Sequence, residues 1–201
     1  MCYNEIVMYM KKKCIIIGII LLVLILTSII LFNNDAIRFK LSYEYINIVE
    51  YDNGKTIKVN IPLDNRIKYI KGKQVIDTFQ NKTGIIYLGY NSCPWCRNIV
   101  EPLIEVAKEE KINTIYYVNI HDNLDDIKKE LLQILDDYLR VDEDTNQKRL
   151  AVPDVYFVKN GKIISHHIGT IDSYKNPYEK MTSTQKEELK EIYRNGIEAI
   201  K

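Results

Sequence analysis

An excess of charge of either sign is missing: 28 Lys and Arg stand against 27 Asp and Glu in 201 residues, a net +1. That leaves no electrostatic case for nucleic acid as a partner. Cysteine is scarce as well. Of four, Cys2 and Cys14 belong to the N-terminal stretch, and only Cys93 and Cys96 lie in the body of the chain. Residues 33–201 are enough to bury a core without a disulfide staple, and neither thiol of the pair has a third cysteine to join. Histidine is confined to His121, His166 and His167. There is no internal repeat, and the one compositionally biased segment is an apolar run.

That run, "CIIIGIILLVLILTSIILF", covers Cys14 to Phe32, 19 residues without a charge. As a helix it would be roughly 28 Å long, close to the hydrocarbon thickness of a bilayer. Leucine and β-branched side chains cover every face, which disfavours a buried core helix. The run exceeds the apolar core of a typical cleaved signal, and no clear small-x-small site follows it. An uncleaved signal anchor is the reading. Lys11, Lys12 and Lys13 precede it directly, so residues 1–13 are expected to stay in the cytoplasm and the remainder to face outward. The divisions expected are 1–13 cytoplasmic, 14–32 transmembrane, 33–65 an N-terminal β-hairpin extension and 66–201 the main domain.

Within the outer part, "YEYINIVEY" (43–51) alternates as a strand does, Asn53-Gly54 signals a two-residue turn, and "KTIKVNI" (55–61) reads as the return strand. A short strand over 66–71 and a short helix over 73–82 follow. "GIIYLGY" (84–90) is almost wholly apolar, as a strand covered on both faces is. Residues 94–110 carry a helical stripe of Ile99, Leu103, Val106 and Ala107, with Pro94 in the first turn and Pro102 expected to kink it. A strand over 114–120, an amphipathic helix over 124–139 and a polar loop over 140–149 come next. Residues 154–169 form a hairpin turning at Asn160-Gly161. Thr184 and Glu187 suit a capping box for a last helix ending near Ile200.

"YNSCPWCRN" (90–98) therefore sits where a buried strand passes into a helix, the place where open α/β sheets put their sites. Three readings compete for Cys93 and Cys96. A structural zinc site usually needs four ligands; the adjacent His166 and His167 of one strand point to opposite faces and cannot both join. An inert disulfide would close too small a loop to constrain the unfolded chain much. A redox pair has a direct physical basis. Unpaired N–H groups and the helix dipole at the start of the helix favour a thiolate at Cys93. Cys93 would be exposed at the helix tip and attack; Cys96, one turn on, would be more buried and resolve. Pro94 holds the turn and Trp95 gives an apolar contact beside it.

Val152-Pro153 stands just before the strand "DVYFV". Together, "GIIYLGYNSCPWCRNIVEPLIEVAKE" and "AVPDVYFVKNGKIISHHIG" resemble the thioredoxin superfamily over roughly residues 66–201. The whole layout, anchor included, is similar to bacteriocin transport accessory proteins and related anchored thioredoxin-like proteins. The resemblance implies an α/β, thioredoxin-like fold, a central mixed β-sheet flanked by helices, preceded by a single N-terminal transmembrane helix. It implies a cis Pro153 packed against the cysteines, Val152 offering backbone groups to a substrate peptide, and Gly169 closing the hairpin. Two features depart from the family. Its buried acid, six residues before the first cysteine, is here Tyr87, so that device is missing; and Pro102 falls one residue late.

The activity expected is thiol–disulfide exchange with exported proteins or peptides through a mixed disulfide on Cys93, needing no cofactor and no metal. A membrane electron donor or acceptor would be its redox partner. The alternatives are an accessory factor dedicated to one exported peptide such as a bacteriocin, and a redox-silent adaptor that keeps the fold for peptide binding.

Overall fold

The structure, a computed structural model, describes residues 3–48, 50, 51 and 54–201. Cys2 and Asn53, on which two sequence expectations rest, lie outside these. The chain begins with helix α1, Tyr3–Phe32. Within it Met8–Ile29 is long and apolar enough to cross a membrane, and none of that segment is buried against the protein. The apolar run read from the sequence is thus the C-terminal two-thirds of a longer helix that also carries the lysines.

The predicted first strand is not one. Helix α2, Asp35–Tyr45, takes its first residues, and a 3-10 turn over Ile46–Ile48 follows. Asn34 caps α2 by accepting from the Ile37 N–H at 3.1 Å, Lys40 pairs with Glu44 at 2.6 Å, and Phe39 and Tyr43 bury one face at i, i+4 spacing. The tyrosines that look like strand alternation are the end of a helical stripe. Residues 55–61 form no ladder strand either. Side chains supply their partners: Asn47 donates to the Val59 carbonyl at 2.8 Å and accepts from its N–H at 2.9 Å, and Glu44 accepts from Ile61 N–H at 2.9 Å. The expected β-hairpin extension is therefore a helix and an extended strap.

The core sheet holds β1 (Ile67–Tyr69), β2 (Gly84–Gly89), β3 (Ile115–Asn119), β6 (Asp154–Lys159) and β7 (Lys162–Ile168), in the order β1-β3-β2-β6-β7. β1, β3 and β2 run parallel; β6 and β7 are antiparallel to their neighbours. Helix α4, Pro94–Glu109, makes the crossover from β2 to β3 and runs continuously through Pro102. This is the mixed sheet flanked by helices of a thioredoxin-like fold.

The side chains of β2 explain why the strand looks apolar throughout. Ile85 and Tyr87 enter the cluster made by α4, α2 and the last helix α6 (Ser183–Ile200). Ile86 and Leu88 enter the opposite one, with α3 (Lys73–Asn81) and α5 (Lys128–Ile134). At about 25 cal/mol per Å² of apolar surface, burial on both faces is what holds this strand at the centre.

Three smaller expectations need correction. The helix over 124–139 shortens to α5 plus a 3-10 turn at Asp136–Tyr138, because the run Asp122 to Ile127 forms a looped entry with Asn123 accepting from Asp125 N–H. The loop over 140–149 is closed by a two-stranded ribbon, β4 (Arg140–Val141) against β5 (Lys148–Arg149), its turn tied by Asp142 to Thr145. The capping box is Thr182 with Gln185, not Thr184 with Glu187. Both pairs fit the pattern two residues apart, and the earlier one starts the helix sooner.

Candidate functional site

β2 ends at Gly89 and the chain turns through Tyr90, Asn91 and Ser92 into α4. Cys93 caps the helix: its sulfur accepts from the Cys96 N–H at 3.2 Å, and Pro94 fills the first helical position, where a missing N–H costs nothing. Both cysteines are free thiols. The Cys93 thiol is pulled below its ordinary value by a hydrogen bond with the Cys96 thiol, against the opposing effect of burial. The N–H groups of Cys96 and Trp95 and the Tyr90 hydroxyl add to the lowering. Cys96 goes the other way, pushed well up by burial.

Cys93 is not exposed as its place at a helix tip predicts. It is 4% accessible, and Cys96 is 0%. Tyrosines crowd the approach. The Tyr51 hydroxyl, from the strap, donates to the Ser92 carbonyl at 3.0 Å, and its ring meets that of Tyr178, centroids 5.3 Å apart. Burial raises the Tyr51 pKa to about 12. Trp95 packs edge-on to Tyr174 at 5.8 Å. Tyr90 stacks on His121 at 4.0 Å.

The Val152–Pro153 peptide bond is cis. Leu88 pairs with Asp154 across β2 and β6, so the register sets Pro153 beside Gly89, at the same end of the sheet as the cysteines. Gly169 donates its N–H to the Pro153 carbonyl at 2.7 Å and has φ +81°, a conformation that favours glycine. Val152 is half-buried on the α3–α5 side. The residues singled out in the sequence, Cys93, Pro94, Trp95, Cys96, Val152, Pro153 and Gly169, thus converge on one end of the sheet.

Of the histidines, His121 stacks beside these residues on Tyr90, while His166 and His167 have hydrogen-bond partners of their own. His166 donates Nδ1–H to the buried Asp154 at 3.1 Å, His167 donates Nε2–H to the Thr170 carbonyl at 2.8 Å, and burial lowers the pKa of His167. Both side chains are half-buried. Among the described residues, no group of three or more His, Cys, Asp and Glu is placed to hold a metal.

Two features of the site escaped the sequence. Arg97, next to Cys96, is 1% exposed. Its guanidinium donates to the carbonyls of Ile57 (2.7 Å), Tyr43 (2.7 Å) and Asn91 (3.0 Å) and to Asn47 Oδ1 (2.5 Å). Three of these four acceptors belong to α2 and the strap, so this cation fastens the N-terminal segment beneath the turn that leads to the cysteines. The second is the pair Tyr43 and Tyr87, hydroxyls 2.9 Å apart and both buried. Position 87 carries a polar group after all. Its only sequence signal is a tyrosine in an otherwise aliphatic strand.

No protein-family model matches the chain, and no curated protein matches it. Among solved structures it is similar to thioredoxin O2 and thioredoxin O1 from Arabidopsis thaliana, both in the oxidized state, at 17% and 19% identity. Each match covers 53% of this chain, and 85% and 88% of those chains respectively, with a TM-score of 0.38 for both. Likenesses this remote carry no argument about the chemistry.

Proposed function

We propose that the protein is a membrane-anchored thiol–disulfide oxidoreductase whose domain, residues 66–201 with the strap before it, faces outward and acts on exported proteins or peptides. The observation that carries this reading is the arrangement of Cys93 at the start of α4: its sulfur is bonded by the Cys96 N–H at 3.2 Å and its thiol pKa is lowered, while Cys96 waits one turn deeper. The Cys93 thiolate attacks a substrate disulfide R–S–S–R′. R′S⁻ leaves, and Cys93 is joined to R. Cys96 then gives up its proton and attacks the Cys93 sulfur, RS leaves with its electron pair, and the enzyme disulfide remains. The substrate is reduced by two electrons and the dithiol oxidised; run backwards, the same steps oxidise a substrate dithiol. Val152 and the Pro153 edge supply the strand against which a substrate peptide lies.

The low accessibility of Cys93 favours the rival reading, a redox-silent adaptor, and alkylation separates the two. At pH 6.5 an ordinary thiol of pKa about 8.5 is about 1% thiolate. Reduced protein in detergent, treated with iodoacetamide at that pH, is expected to be modified at Cys93 well ahead of both Cys96 and free glutathione. Because the folded pKa is lowered, the advantage fades as pH rises past the ordinary value and glutathione ionises too. Cys93 reacting no faster than glutathione would leave the adaptor. Orientation is read in the same chemistry on intact, reduced cells: a membrane-impermeant maleimide labels Cys93 and spares Cys2, and the reverse pattern would put the domain inside.

A further inference from the structure

We propose that Tyr51 of the strap and Tyr178 of the loop before α6 are a specificity-determining pair. They meet over the first turn of α4 and close the way to Cys93, so that small disulfides reach it readily and a disulfide on a bulky chain waits for the pair to part. This rests on the exchange reading above.

The low accessibility of Cys93 has two layers. One is built into the fold: the sulfur faces the Cys96 N–H at the start of α4, and Pro153 stands at the same end of the sheet. The other is brought from outside the sheet. The Tyr51 hydroxyl donates to the carbonyl of Ser92, the residue before Cys93, at 3.0 Å. The Tyr51 ring meets that of Tyr178 edge-on, with 5.3 Å between centroids and 67° between planes. Lys55, in the same turn as Tyr51, pairs with Glu179, the neighbour of Tyr178, at 3.6 Å. Two segments far apart in the chain are thereby joined across the residue that leads to Cys93.

The two sides are held differently. The Tyr178 side is fastened to α4 itself: Asn98 donates to the Pro177 carbonyl at 2.9 Å, and Tyr174 packs edge-on to Trp95. The Tyr51 side is fastened behind the turn. Arg97 holds the Ile57 carbonyl and the Asn47 side chain, and Asn47 holds Val59. Between those points Tyr51 rides on a turn closed by its own backbone. Its N–H donates to the Lys55 carbonyl at 2.9 Å, and the Gly54 N–H donates to the Tyr51 carbonyl at 2.7 Å. Both rings of the pair are half-buried, and the Lys55–Glu179 contact is exposed, where an ion pair is weak. The turn therefore lifts while Arg97 and its four acceptors stay in place.

Parting the pair changes no bond of the exchange. It changes which disulfides come near enough for it, since exchange rates depend on access to the sulfur as well as on the thiolate. A small disulfide needs room for its two sulfurs and the atoms next to them. A disulfide in a folded protein brings the chain on either side with it, and that chain meets Tyr51 and Tyr178 first. Where the reactive form is the open minority, the observed rate falls by the open fraction.

The test reads access apart from chemistry. Full-length protein in detergent, carrying Cys2→Ser and Cys14→Ser, is reduced and labelled either with N-ethylmaleimide or with a maleimide on a polyethylene glycol chain, and mass spectrometry follows Cys93. Both reagents react with the thiolate, so a change in thiol pKa moves both rates alike and their ratio reports access. In Tyr51→Ala and Tyr178→Ala the bulky reagent is expected to gain roughly tenfold, the reciprocal of an open population of about one in ten, and the small one much less. Tyr51→Phe, which loses the bond to Ser92 and keeps the ring, should fall between. Loosening of the whole fold would label the buried Cys96 as well; where an alanine variant does so, Tyr51→Phe decides. In the exchange itself, the alanine variants should speed the reaction with insulin more than that with 5,5′-dithiobis(2-nitrobenzoate). An unchanged labelling ratio would overturn the proposal. So would a slower reaction with insulin, which would make the tyrosines a surface that binds substrate. A wild-type chain that exchanges with neither disulfide would overturn the exchange reading, and the labelling ratio would still decide whether the pair covers Cys93.

Discussion

Cys96→Ser is expected to accumulate covalent adducts with exported proteins, seen as high-mass bands on non-reducing gels that vanish on adding reductant. Cys93→Ser is expected to trap almost nothing and to lose disulfide exchange down to the uncatalysed level. The asymmetry follows from the helix start. Cys93 is the sulfur that receives the Cys96 N–H at 3.2 Å and has the lowered thiol pKa, so it is the nucleophile of the proposed exchange. Cys96 is buried with a raised pKa, so it reacts only when a disulfide is presented beside it. Without Cys96 the first step still runs and the second has no intramolecular partner. Equal trapping by both variants would contradict the assigned roles.

Replacing Arg97 should have the largest effect on stability. The guanidinium is sealed from water with four oxygen acceptors, and among the described residues no carboxylate is within ion-pair distance. Arg97→Met leaves those acceptors without donors. At about 1–3 kcal/mol for each buried group left unpaired, and with some water re-entering, the expected loss is on the order of 3–5 kcal/mol. That is a large part of the 5–15 kcal/mol typical of a domain. Arg97→Lys should lose less, since an ammonium has three donors but not the planar fork. Urea unfolding measures this as a fall in midpoint. Limited proteolysis should cut the strap over residues 46–61 first, because Tyr43, Asn47 and Ile57 supply three of the four acceptors. An unchanged midpoint in Arg97→Met would show that the strap is held by its apolar contacts alone.

Local pattern carried much of the fold. The two-faced burial of β2, the turn at Asn160-Gly161 with φ values of +50° and +74°, and the cysteines at a helix start are all visible in short windows of sequence, because each depends on neighbours within a few positions. The N-terminal segment misleads because "YEYINIVEY" satisfies strand alternation while its determinants lie before it: the cap at Asn34, and Phe39 spaced from Tyr43. Arg97 reads as an ordinary exposed helix charge until the carbonyls of residues 43 and 57 arrive from elsewhere in the chain. Tyr87 reads in the sequence as the absence of an acid. Its hydroxyl meets that of Tyr43, 44 residues away, a contact that no local pattern encodes. The low accessibility of Cys93 has the same origin, since Tyr51 closes over Ser92 from the strap.

The central claim is that Cys93 and Cys96 form a reversible two-electron couple, and a redox titration of the full-length protein tests it most directly. Trp95, the single tryptophan of the chain, lies between the two cysteines, so its fluorescence reports their state without a label. Equilibrated in glutathione or dithiothreitol buffers of graded potential, the protein is expected to show one transition that fits two electrons and retraces from both directions. Its midpoint should fall within roughly −270 to −120 mV, the span of thiol–disulfide oxidoreductases. A signal that stays flat across that span, or thiols that oxidise only irreversibly, would contradict the account.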